Sequence, residues 1–426
     1  MAESPPILSL PHSAARRHGL DSLRGLAAVL VVMLHAAIPY LRHPMPRLLW
    51  PTHDLRSSVV VDGLFWAIEG FIMPLVFLLA GFFAAPLMLR LGRRAFLVHR
   101  GKRLVLPLLL GVATILPADL YIWGMGLVID GRCSPRKLRS LKFPEHIARD
   151  LWGLGHLWFL EYLFLFCVLL AAGWSVVTWM RTTARGRRWT DRVARLRRDR
   201  WTLPVLLPLG MTACVTGILA WEPQVVIGFQ HDFLPVPPKF LHGLVFFAAG
   251  CALSAFDDRL RRFATSSRRF LALAPAVFVM AWPLIHGHLT EELTVGERWL
   301  LAGALALFAV LATLGLFGVF AQITRPPSRP MQYLAEASFW VYLVHHPLVG
   351  LLQLDLAGAA LSPLVKFLIV TGGALGLSLL TYEALVRETW LGALLNGRRA
   401  KPLDRHRPHI GTPPRATVET VERPAA

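Results

Sequence analysis

Ten apolar stretches of helix length recur along the chain, at about 22–41, 59–88, 104–129, 154–180, 203–221, 239–256, 270–287, 298–322, 332–354 and 363–392. A helix needs roughly 20 residues to cross a bilayer, and charged, Gly- and Pro-containing segments separate these runs. They are too long and too rich in Leu, Ala and Gly for barrel strands, which alternate over about ten residues. The expectation is an all-α fold, a polytopic membrane helical bundle of about ten transmembrane helices. Composition agrees. The 426 residues are 55% hydrophobic and 17% charged, against about 25% charged in soluble domains.

The formal charge of +19 does not indicate nucleic-acid binding. The basic residues fall between apolar runs, and no basic domain with interleaved aromatics stands apart. About three quarters of the 45 Lys and Arg collect on one side if both termini are cytoplasmic, which fixes the expected orientation. One outer loop, "DGRCSPRKLRSLKFPEHIARDL", is unexpectedly basic and reads as an interfacial helix. The inner "RTTARGRRWTDRVARLRRDR" reads as a solvated connection facing lipid headgroups.

The first apolar run follows Arg16, Arg17 and Arg24 without a small-residue cleavage site and is expected to be retained. The expected organisation is an integral membrane domain over 1–396 and a disordered basic, Pro-rich cytoplasmic tail over 397–426. No internal repeat points to inverted transporter halves. Of the four cysteines, Cys167, Cys214 and Cys251 lie in apolar runs, and no Cys/His spacing suggests a metal or a disulfide framework.

Polar residues inside the runs carry the functional signal. In "GLDSLRGLAAVLVVMLHAAIPY", Arg24 and His35 are eleven residues apart. Eleven residues rise about 16 Å and return to within roughly 20° of the starting direction, so both share one helix face. Arg24 belongs at the inner surface and His35 near mid-depth. Ionisable residues in spans usually face a bundle interior or a watery cavity. Glu69 falls near the middle of span two, His345 and His346 in span nine, and His156, Trp158 and Glu161 at the outer start of span four. Tyr382 and Glu383 lie toward the inner end of span ten. Polar groups on several helices imply a shared cavity. At the inner rim, Arg100 and Arg103 share a face where span three enters the membrane, and Arg forks suit phosphates.

These residues resemble the acyltransferase-3 family of integral membrane acyltransferases. "LDSLRGLAAVLVVMLHA" is similar to its first-helix signature, an Arg followed by ten residues and a His. "FLLAGFFAAPLMLR", "RGKRLVLPLLLG", "GHLWFLEYLFLF", "ASFWVYLVHHPLV" and "TYEALVR" resemble later blocks, in family order from residue 19 to 387. The resemblance leans toward the branch of glucan biosynthesis proteins that succinylate periplasmic glucans. Two positions depart from the pattern: Glu69 stands where a histidine or neutral polar residue is usual, and Ala80 where a Ser is usual before Gly81. "HHP" leaves open which histidine matches, with His345 fitting the Y-L-x-H spacing.

The resemblance implies a membrane O-acyltransferase of the inner (plasma) membrane. It would move an acetyl or succinyl group from cytoplasmic acyl-CoA to a hydroxyl of an extracytoplasmic glycan or other envelope acceptor. Acyl-CoA would be a donor substrate, with no permanently bound cofactor. His35 takes the essential-histidine place and Arg24, Arg100 and Arg103 the essential-arginine places. Neutral imidazole suits removal of the hydroxyl proton near pH 7, Glu69 or Glu161 could orient it, and His345 joins the catalytic set. His156, Trp158 and Glu161 are candidate substrate contacts. The alternative is a proton-coupled exporter in which His35, Glu69 and His345 relay protons, and a third is a scaffold whose polar residues serve helix packing.

Overall fold

The computed structural model describes residues 18–140, 142–198, 202–255 and 260–396. The tail after Asn396 lies outside the described residues. Helices make up the described fold and no strand occurs among them. The ten long helices are α1 (His18–Ala37), α2 (Val59–Leu91), α3 (Arg93–Ile129), α4 (Trp158–Met180), α5 (Pro204–Trp221), α6 (Pro237–Ser254), α7 (Leu260–Thr290), α8 (Val295–Ala321), α9 (Arg329–Leu356) and α10 (Pro363–Leu385). They coincide with the ten expected runs.

Eight of them are long and apolar enough to cross a membrane. The chain is a multi-pass membrane protein. The two that fall short are α6 and α9. The first carries Lys239 and His242, and the second carries Glu336, His345, His346, Gln353 and Asp355. Polar side chains of this kind lower a helix's hydropathy, and His242, His345, His346 and Gln353 are tolerated because they are buried against protein.

Local chemistry sets the helix ends. The Ser58 and Ser362 hydroxyls accept from the backbone N–H groups of Val61 and Val365 at the starts of α2 and α10. Thr294 and Glu297 form a capping box at the start of α8. In α3, Gly101–Val105 widens into π-helical turns just before Pro107. Such turns absorb a proline's missing N–H. The basic loop expected on the outer side forms two short helices, Pro135–Ser140 and Glu145–Leu151, and the basic segment expected on the inner side holds a helix over Ala184–Arg198.

Close packing depends on small residues, as expected where lipid offers no hydrophobic contrast. A Cβ on Gly81 of α2 would meet the Phe247 carbonyl oxygen at 2.0 Å, and one on Gly250 of α6 would meet that of Leu78 at 2.0 Å. The two backbones touch reciprocally, and only glycine permits it.

Two further contacts fix the helices that build the site. Gly25 of α1 packs on Ala335 of α9, and ten residues on in each helix His35 meets His345. The two helices therefore run parallel. On α3, Asp119 faces His346, and four residues on in each helix Trp123 faces Gly350. Thus α1, α3 and α9 all run the same way. Their C-terminal halves converge, and the start of α4 arrives from the opposite direction.

Candidate active site

The histidines of the first, fourth and ninth helical regions meet in one place. His35 lies in the last turn of α1, beyond the middle expected for it, because the helix starts at His18 and passes into a 3-10 turn at Ile38–Tyr40. His345 and His346 lie in α9, with His345 fully buried. His156 lies in the 3-10 turn Gly155–Leu157 that leads into α4.

Hydrogen-bond partners assign the protons. His345 Nδ1 lies 2.9 Å from the Val341 carbonyl oxygen and 2.8 Å from that of Tyr342. Carbonyls only accept, so in the neutral ring Nδ1 carries the proton and Nε2 the lone pair. That Nε2 lies 3.1 Å from His35 Nδ1, which also lies 2.9 Å from the Val31 carbonyl. His35 Nδ1 is therefore the donor. Its Nε2 keeps a lone pair and has no hydrogen-bond partner among the described residues. His345 orients His35 in the way the third group of a catalytic triad orients its base.

Aromatic and amide groups hold this arrangement. Trp50, from the loop after α1, stacks on His35 with ring centres 6.0 Å apart and planes 15° apart. Its indole N–H donates to Gln353 Oε1 at 2.7 Å, and Gln353 Nε2 donates to the carbonyls of His35 and Ala36 at 3.1 and 3.2 Å. Trp123 donates to the Leu49 carbonyl at 2.9 Å and stacks on His346 at 4.7 Å and 9°. A Cβ on Gly350 would meet the Trp123 ring at 2.9 Å, so that glycine makes room for the indole.

The second histidine of "HHP" also belongs to the site. His346 Nδ1 lies 3.1 Å from Asp119 Oδ2, and its ring stacks on His156 at 4.5 Å and on neighbouring His35 edge-on at 5.0 Å. His156 Nε2 donates to the Leu343 carbonyl at 3.1 Å, and the Tyr342 hydroxyl donates to the His156 carbonyl at 2.8 Å. The junction before α4 is thereby stitched to α9.

Glu69, one of the two carboxylates expected to orient His35, has a different charged neighbour. Glu69 of α2 attracts Lys239 of α6, and no hydrogen bond joins it to His35 among the described residues. Lys239 Nζ sits 3.5 Å over the Trp158 ring and donates to the Gln230 carbonyl. Trp158 thus belongs to this second polar group, together with buried His242. Glu161 lies in the first turn of α4, with one carboxylate oxygen buried and unpaired. Tyr382 and Glu383 lie far along α10, where Glu383 pairs with Arg387 at 2.7 Å.

At the other end of α1 the arginines gather. Arg24 is 47% exposed and pairs loosely with Asp21 at 3.9 Å. It repels both Arg100 and Arg103, so the three guanidiniums share one region. Arg100 lies over the Phe96 ring at 5.6 Å, and its Nε is buried without a partner. A groove of about 940 Å³ beside Arg93, Arg94 and Ser175 contains none of the histidines.

Asp119, Trp50, Trp123 and Gln353 were missed in the sequence. Asp119 carried a signal, since a carboxylate inside the apolar run "GVATILPADLYIWGMG" meets the same criterion that selected His35. Trp50 and Gln353 carried none, because a loop indole and a helix amide are ordinary in isolation.

Among the described residues, two groups of side chains have metal-ligand character: Asp119, His156 and His346, all buried, and His43, Asp62 and His286. In the second, His43 Nδ1 already bonds Asp62 Oδ2 at 3.0 Å, and half-buried His286 stands 3.9 Å off.

The chain is 24% identical over 393 residues to the glucans biosynthesis protein C of Salmonella paratyphi A (strain ATCC 9150 / SARB42), covering 90% of this chain and 96% of the relative. The proteins of that name from Salmonella agona (strain SL483) and Salmonella schwarzengrund (strain CVM19633) match to the same extent. No solved structure matches. The acyltransferase-domain family model matches residues 17–383, a stretch that contains every histidine and arginine of the site, and the chain therefore belongs to the acyltransferase-3 family.

Proposed function

We propose that this protein transfers an acetyl or succinyl group from acyl-CoA at the basic face of the membrane to a hydroxyl of a glycan at the opposite face. Family membership supports acyl transfer over proton-coupled export. The relatives' name, glucans biosynthesis protein C, supports a glycan acceptor. The inner membrane and cytoplasmic termini rest on the distribution of Lys and Arg.

The observation that carries the mechanism is the free lone pair of His35 Nε2, fixed by His345. Arg24, Arg100 and Arg103 hold the CoA phosphates. About 16 Å separates Arg24 from His35 along α1, a gap that the pantetheine arm crosses to bring its thioester to the histidines. His35 Nε2 takes the proton of the acceptor hydroxyl as its oxygen attacks the thioester carbonyl. The C–O ester bond forms, the C–S bond breaks, and the departing thiolate takes the proton back from His35. Trp50 covers His35 on the loop side.

The test is transfer of a labelled acyl group from acyl-CoA on isolated membranes, with mass spectrometry of surface glycans. Membranes carrying His35→Ala should show no added acyl mass. Full transfer by that variant ends the proposal.

A further inference from the structure

Asp119, His156 and His346 present a set of buried donor atoms that the hydrogen-bond network leaves unresolved. His156 Nε2 donates to the Leu343 carbonyl, so in the neutral ring its Nδ1 has the lone pair. That lone pair faces Asp119 Oδ2 at 3.7 Å, a contact between two acceptors. His346 Nδ1 stands 3.1 Å from the same oxygen but is not aligned for a hydrogen bond. Asp119 Oδ1, His156 Nδ1 and His346 Nδ1 are all buried without a partner. The three residues are 5%, 6% and 5% exposed. No Lys or Arg forms an ion pair with Asp119 among the described residues. Unpaired buried carboxylates are among the costliest groups a fold can hold.

We propose that Asp119, His156 and His346 bind a divalent transition-metal ion, of which zinc fits the donors best. Two imidazole nitrogens and one carboxylate are a common set for zinc with a position left for water or substrate, whereas structural zinc sites usually close with four protein ligands. The outer shell is already built. His156 is held by the Leu343 carbonyl, as metal-bound histidines usually are through their second nitrogen, and the His346 ring is held flat against Trp123. Donors about 2.1 Å from a tetrahedral ion stand roughly 3.4 Å apart. Asp119 Oδ2 already lies 3.1 Å from His346 Nδ1 and 3.7 Å from His156 Nδ1, and all three atoms lie within 4.8 Å of one another, so binding requires mainly that the two imidazoles close in, by up to about 1.4 Å. The ion would supply the positive charge that Asp119 lacks, beside the His35 ring.

The test uses the full chain purified in detergent, stripped with chelator and reloaded with zinc. About one ion per chain is expected by elemental analysis, with a rise in melting temperature on loading. Asp119→Asn and His156→Gln should each cut affinity by more than the roughly 10–100-fold that loss of an outer-shell partner costs. His35→Ala should retain the ion while losing acyl transfer, which separates this inference from the reaction itself. Should a variant fail to fold, the loaded wild type still decides, because cobalt in this site must give the intense visible absorption of a low-coordinate nitrogen and oxygen environment. A wild-type chain that binds no zinc or cobalt, or an ion retained undiminished by Asp119→Asn and His156→Gln, overturns the proposal.

Discussion

Gln353 of α9 donates to the backbone carbonyl of His35 at 3.1 Å, reaching across to a helix 318 residues away in sequence. The same amide accepts from Trp50, so one buried side chain ties the proposed base, its helix end and the covering loop together. Gln353→Leu leaves the Trp50 N–H without its partner and removes the donor from two carbonyls. Each buried group so stranded costs about 1–3 kcal/mol. The expected result is a clear fall in melting temperature and a loss of kcat, read by thermal unfolding in detergent and by acyl transfer. Trp50→Phe removes the donor with it and should cost less.

His35 and His345 should behave differently when each is removed. General-base catalysis contributes typically 10²–10⁴-fold, so His35→Ala should lower kcat at least that far. His345→Ala leaves a base that can rotate or change tautomer, and the expected loss is smaller. The two losses should not add, because both variants disable the same nitrogen. Steady-state rates of the single and double variants check this.

The arginines should act on donor binding. Hydrogen bonds to charged groups contribute about 1.5–3 kcal/mol, so Arg100→Ala or Arg103→Ala should raise the KM for acyl-CoA roughly tenfold or more. Arg100→Lys should recover only part of the loss, because an ammonium cannot grip a phosphate with two parallel bonds. Kinetics at varied acyl-CoA measure it.

Acid should loosen the loop over Glu222–Val236. His231 Nδ1 accepts from the Gly155 N–H at 3.3 Å while Nε2 donates to the Asp150 carbonyl at 3.3 Å. Burial lowers its pKa to about 4, below the value near 6.5 expected in an unfolded chain. The folded state therefore keeps the ring neutral where the unfolded chain would protonate it. This contribution is complete above about pH 6.5 and is lost as pH falls toward 4, by up to about 1.4 kcal/mol per pH unit. Melting temperatures measured between pH 7.5 and 4.5 should fall more steeply for the wild type than for His231→Gln.

Enlarging the small residues at the α2–α6 crossing should separate those helices. A methyl group on Gly81 would stand 2.0 Å from the Phe247 carbonyl oxygen, so Gly81→Leu should lower the yield of folded protein and its melting temperature. Gly217, with nothing within 4 Å, serves as the control, because Gly217→Ala should leave both within a few tenths of a kcal/mol or raise them slightly.

The helical bundle was legible because apolar length survives any detail of packing, and the ten runs reappear as ten long helices. His35, His156, His345 and His346 were legible for a related reason, since imidazoles in apolar helices stand out against their neighbours. Their partners were harder to read. Sequence placed Glu69 with His35 by depth, but depth does not say which way a helix turns, and α2 presents Glu69 to Lys239. The mid-span position expected for His35 depended on where α1 begins, and helix ends shift easily by a few residues. Asp119 answered to the same criterion as His35 and was passed over. Gln353 and Trp50 act through hydrogen bonds that only the folded contact creates.

The parallel course of α1, α3 and α9 has a consequence for how this protein comes into being. During synthesis His35 enters the bilayer with α1, yet the residue that orients it follows 310 positions later. Until α9 arrives, the imidazole and the Asp119 carboxylate must wait in a nascent assembly without their final neighbours. A chain that stops before α9 lacks both His345 and Gln353, so the His35 ring and its helix end have neither of these partners until that helix is in place.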